Sequence, residues 1–151
     1  MLKKMSSLFF VSVLLFIAHS AAAIEIKEVT SAKGIKAWLV EDHTNPILTV
    51  DIAFLGGSAL DPDGKEGLAN LVSSTLDEGA GDITSQNFQQ KLEDLAISLS
   101  FDSRLDSFSG SLRTLKRNQT IAFELLRLAL TNPRFDSEPV ERIRSQIIAN
   151  I

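Results

Sequence analysis

Two runs of apolar alternation, residues 97–101 and 105–112, flank the turn residues Asp102-Ser103-Arg104. Side chains that alternate with period two belong to a strand with one buried face, and a polar turn between two such strands makes an antiparallel hairpin. That pairing restricts the architecture more than any other feature, because hairpins build antiparallel sheets whereas parallel sheets need a long crossover between every two strands. The same signal recurs upstream. Residues 24–29 alternate, Lys33-Gly34 marks a turn, and residues 35–40 complete a second hairpin. Residues 46–55, rich in Ile, Leu, Val and Phe, form a further strand that stops at Gly56-Gly57. Trp38 is expected to pack in the core or on a sheet face.

Helical periods fill the remainder. Leu68, Leu71, Val72, Thr75 and Leu76 predict a helix over 65–78, closed by Gly79, with Asn70, Ser73, Ser74 and Asp77 on its hydrated side. A second helix opens at Thr84, where Ile83 and Phe88 are placed to staple the cap, and continues through Leu92, Leu95 and Ala96. A third covers 116–130 with Ile121, Leu125 and Leu128 in line, and Asn132-Pro133 ends it. A fourth starts at Ser137-Glu138-Pro139 and spaces Val140, Ile143, Ile147 and Ile151 for packing. Strands and helices in blocks, without strict alternation, predict an α+β fold: a mostly antiparallel sheet with helices packed on it.

Residues 1–23 read as a signal peptide. Lys3 and Lys4 precede an apolar run over 8–18 that is too short to span a bilayer, and Ala21-Ala22-Ala23 offers a cleavage site. The expected mature chain, 24–151, is long enough for one modest domain, periplasmic or secreted, with no membrane attachment after cleavage. Its pattern runs out inside the fourth helix with neither cap nor breaker, so the domain is expected to be incomplete at its C-terminus. Removing Lys3 and Lys4 lowers Lys+Arg from 15 to 13 against 19 acids, a balance of about −6. No basic block appears, which argues against nucleic acid as a partner. There is no cysteine, so disulfides and thiolate metal sites are excluded and stability falls to the core.

Several stretches carry a resemblance in order and spacing: the run from Gly56-Gly57-Ser58-Ala59-Leu60-Asp61-Pro62, then Gly67-Leu68-Ala69, Leu76-Asp77-Glu78-Gly79-Ala80-Gly81, and Asn132-Pro133-Arg134-Phe135. Together they resemble the start of the pitrilysin/insulinase family of zinc metallopeptidases. Active members carry the inverted zinc motif H-x-x-E-H on the first helix. Its three functional positions read Asn70, Ser73 and Ser74 here, and the family's later glutamate ligand falls on Asn150.

A catalytic zinc needs about three donors drawn from imidazole, thiolate and carboxylate, plus an open position for water. Asn70 offers a neutral amide, Ser74 a hydroxyl that stays protonated near neutral pH, and Ser73 is far too weak a base to take a proton from bound water. Residues 145–151 contain no carboxylate. The chain has two histidines, and of these His19 lies in the signal segment while His43 sits in the polar turn Glu41-Asp42-His43-Thr44-Asn45-Pro46. No catalytic, cofactor or metal residue is therefore assigned. The resemblance implies a non-catalytic subunit that pairs as a heterodimer with an active zinc metallopeptidase homologue, zinc belonging only to that partner, and that helps bind or enclose peptide substrates. The alternatives are a divergent zinc metalloendopeptidase whose ligands come from elsewhere, or a stand-alone peptide-binding protein.

Overall fold

The computed structural model describes residues 25–150. The expected signal peptide, with His19, and Ile151 of the last apolar stripe lie outside the described residues. The chain divides into two units, one ending at His43 and one beginning at Thr44.

The first unit is a hairpin. Strand β1 (Ile26–Thr30) pairs antiparallel with β2 (Lys36–Val40), with Glu28 opposite Trp38. Gly34, at φ +83°, supplies the turn conformation that a side chain would disfavour. Lys27 Nζ donates to Glu41 at 2.7 Å and Lys36 Nζ to Glu28 at 2.9 Å. The expectation that Trp38 packs in the core or on a sheet face is not met: its side chain is 82% exposed. Within the described residues of this unit, β1 and β2 form a two-stranded sheet by themselves, and such a sheet offers no interior of its own in which to bury an indole.

The second unit holds β3 (Ile47–Leu55), β4 (Ser98–Ser103) and β5 (Ser107–Leu115) in the order β3-β5-β4, all antiparallel. One rung aligns Val50, Leu112 and Leu99, and the next aligns Ile52, Gly110 and Phe101. This apolar face meets the helices. Helix α2 (Ser85–Asp94) contributes Phe88 and Leu92, and α3 (Gln119–Thr131) contributes Ala122, Leu125, Leu126 and Ala129, to a core completed by Ala80, Ile97, Leu99 and Leu112. The other face of the sheet carries Asp51, Ala53, Ser100, Asp102, Ser109 and Ser111. The fold is α+β with an antiparallel sheet and helices packed on it, as the alternation implies.

Boundaries moved where hydrogen bonds decide them. Strands β4 and β5 run on to Ser103 and from Ser107, so the turn is Arg104-Leu105-Asp106, closed by Arg104 N–H donating to the Ser107 carbonyl at 2.8 Å. In α3 the buried line is Ala122, Leu125, Leu126 and Ala129, with Ile121 36% exposed. Ile83 packs partly buried against the core beside the fully buried Phe88, the staple expected around Thr84, although the Thr84 side chain makes no cap bond.

Two stretches of the resemblance meet in space. Ala80 bridges to Pro133, Gly81 N–H donates to the Asn132 carbonyl at 2.8 Å, and Arg134 N–H donates to the Gly79 carbonyl at 3.1 Å. Gly79 has φ +107°, and a Cβ there would lie 2.9 Å from Ser85 N, so only glycine fits where this segment runs against the start of α2.

Candidate functional site: a groove between two helices

The helix expected over 65–78 is shorter. Helix α1 spans Leu68–Ser73, six residues. Gly67 at φ +90° keeps the preceding residues out of it, and the Asp61 carboxylate receives Gly67 N–H at 2.8 Å and Ala69 N–H at 2.9 Å, fixing where the first turn begins. Beyond Ser74 the chain continues as turns to Gly79, while Thr75 Oγ1 donates back to the Leu71 carbonyl at 2.7 Å.

Helix α4 (Ser137–Ala149) lies beside α1, and between them is a groove of about 690 Å³. Asn70 and Asn150 both line it, so two of the four motif positions are brought together. Its apolar lining is Leu68, Leu71, Ile147 and Ile148, and its charged lining is Lys65, Glu66 and Arg144.

The other two motif positions are placed differently. Ser73 is 2% exposed and its Oγ donates to the Asn70 carbonyl at 2.9 Å, which corrects the expectation that it sits on the hydrated side. Helix α1 packs against β4, and Ser73 is its buried residue, next to the buried Thr75 and Leu76 that follow it. Ser74 Oγ donates to Asn70 Oδ1 at 3.4 Å, a contact between neutral groups at helical i, i+4 spacing. Thus one hydroxyl is already spent on the backbone, and the amide oxygen of Asn70 on the other.

This donor set does not fit a catalytic zinc. Neutral amides and protonated alcohols supply neither the imidazole nor the carboxylate such a site uses. Among the described residues no group of three or more His, Cys, Asp or Glu side chains lies together as a metal site would require. Glu66, the carboxylate in the lining, accepts a hydrogen bond from Gly64 N–H at 3.1 Å. No hydrolytic step can be drawn through these residues.

Nearby acids serve the frame. Glu78, 12% exposed, receives Ser85 Oγ and Arg142 Nη2, the latter at 2.6 Å. Burial pushes the Asp77 carboxyl above its ordinary range, helped by the adjacent Glu78 charge and opposed by hydrogen bonds from its own backbone and from Gln89. Arg104, read as a turn charge, is an exposed partner of Asp102 at 3.3 Å. Sequence reasoning missed Lys65 and Arg144. Arg144 stands three and four residues before Ile147 and Ile148, so helical spacing could have placed it on the face that carries the groove.

A family model for insulinase, peptidase family M16, matches residues 36–151. The chain belongs to the insulinase family. Within it, the chain is similar to the Helicobacter pylori non-peptidase homolog YmxG, at 31% identity over 134 residues, covering 89% of this chain and 31% of that protein. It is also similar to the crystal structure of a peptidase M16 inactive domain from Pseudomonas fluorescens, with a TM-score of 0.76 and 25% identity over 84% of this chain and 31% of that one. The crystal structure of a protease from Helicobacter pylori is similar in fold, with a TM-score of 0.66 and 16% identity, covering 80% of this chain and 30% of that one. The chain spans about 31% of the length of the curated relative it matches.

Proposed function

We propose that this chain is part of an exported, non-catalytic member of the insulinase family, which pairs with a zinc-bearing homologue and helps to bind or enclose peptide substrates. The observation that carries the reading is the groove: Asn70 and Asn150 line it in place of a metal's ligands, and Ser73 is buried against the helix backbone where a general base would have to be free. The names of two relatives, a non-peptidase homolog and an inactive domain, support it. Export rests on the 1–23 segment, whose charged start, short apolar run and small-residue end have the organisation of a signal peptide. In this reading the active partner supplies both the metal and the water-activating carboxylate, and this chain supplies surface.

The test uses the full-length protein. Purified alone it should hold no stoichiometric zinc and cleave no peptide, and it should form a stable complex with an active homologue from the same cell. Equimolar zinc with chelator-sensitive proteolysis by the isolated protein would overturn the proposal and favour a divergent peptidase.

A further inference from the structure

The groove between α1 and α4 is opposite in charge to the chain that carries it. Its lining sets Lys65 and Arg144 against the single carboxylate of Glu66, in a chain whose acids outnumber Lys and Arg by 19 to 15. No ion pair holds Lys65 among the described residues. Arg144 donates Nη1 to Glu141 at 3.2 Å, but both side chains are more than half exposed, so the pair leaves the guanidinium open to a better acceptor. Because Ser74 Oγ donates to Asn70 Oδ1, the Asn70 amide hydrogens remain as donors in the same lining. Donors of these three kinds call for an anion with several acceptor lone pairs, and an arginine fork with a carboxylate is among the strongest such contacts.

The groove is also apolar. Leu71, Ile147 and Ile148 sit in the lining with the donors, in a volume within the range of sites for small ligands. We propose that it binds the C-terminal carboxylate of a peptide whose last residue is aliphatic. In such a terminus the anion and the apolar side chain branch from one carbon, which matches donors and aliphatic lining in one small groove. An acidic side chain within a peptide would bring its charge without that adjacent apolar group. The inference rests on the proposed loss of the metal, since a dication and its ligands would occupy the same place.

The experiment measures binding to the full-length protein by fluorescence polarisation. Three labelled peptides are compared: one ending in leucine with a free carboxylate, its C-terminal amide, and an amidated peptide with an internal glutamate. The free acid should bind about tenfold more tightly than either amide. Arg144→Gln and Lys65→Gln should each erase most of that difference, while Arg127→Gln, on α3 outside the groove, should leave it. Equal binding of acid and amide, or equal binding of the internal glutamate peptide, overturns the inference. If either groove variant fails to fold, the comparison on the unaltered protein decides alone. Zinc is assayed in the same sample: stoichiometric metal sinks the non-catalytic reading, whereas parity of the peptides in metal-free protein sinks only the carboxylate site.

Discussion

Arg142 on α4 donates to Glu78 across 2.6 Å, and Glu78 is the less exposed of the two, at 12% against 41%. Ser85, the first residue of α2, donates to the same carboxylate oxygen. One acid therefore ties the chain after α1 to two other helices. Glu78→Ala should destabilise by about 1–2 kcal/mol, because it strands two donors at once. Arg142→Ala should cost less, since Glu78 keeps the Ser85 Oγ donor and only one of its two contacts is lost. Urea unfolding of both variants and the double variant checks this, with a coupling energy clearly different from zero expected.

Asp77 predicts a pH effect of defined sign. Its folded carboxyl titrates above the ordinary aspartate range because it is buried. Its contribution to stability is fully present below the unfolded carboxyl's pKa and is lost as pH rises through the raised folded value. At neutral pH the charged form is therefore a cost. Asp77→Asn should raise the melting temperature at pH 7, and the gain should disappear in acid where Asp77 itself is neutral. Melts at the two ends of that window decide it; a gain that grows on acidification would contradict the assignment.

Gly57 is fixed by a close approach. A Cβ there would lie 2.2 Å from the Arg104 carbonyl oxygen, a backbone atom that cannot swing aside, at φ +156°. The neighbouring ladder, Gly56 N–H to the Asp106 carbonyl and Ser58 N–H to the Arg104 carbonyl, holds the two loops together. Gly57→Ala should cost about 2–3 kcal/mol and speed amide exchange at Ser58 and Ala59. Gly64→Ala is the comparison, since a Cβ there meets no atom within 4 Å and only its φ of +75° opposes the change.

Restoring the motif should fail at one position. Asn70 is exposed, so Asn70→His should be tolerated, whereas Ser73→Glu places a carboxylate at a site 2% exposed. That change should destabilise by about 2–4 kcal/mol. Thermal melts of the two single variants separate the cases. A Ser73→Glu variant as stable as the parent would mean that the helix can rotate to present this position.

The legible part of the fold was whatever repeats locally. Alternation, apolar composition and turn residues located the described strands to within a few residues, and helical spacing found α2, α3 and α4, because these patterns follow from burying part of each element. The illegible part depended on tertiary geometry. The first helix lost its beginning to the left-handed Gly67 and its end to the turn before Gly79, and no periodicity reports either. Trp38 looked like a packing residue because it is large and apolar, yet the surface that would cover it is no property of its own strand. At the site, the spacing 70, 73, 74 put three residues on one helix face, but only Asn70 lines the groove. Lys65 and Arg144 come from segments far apart in the chain, and convergence of that kind is visible only in three dimensions.

Gly79, Ala80 and Gly81 are fastened to Asn132, Pro133 and Arg134 entirely by main-chain atoms, apart from Arg134 Nη1 reaching the Gly81 carbonyl at 3.3 Å. A clasp made of peptide groups is indifferent to which side chains face the neighbouring cleft. Evolution could thus strip such a scaffold of its reactive groups, one codon at a time, without loosening the joint, leaving an intact mould free to be put to another use.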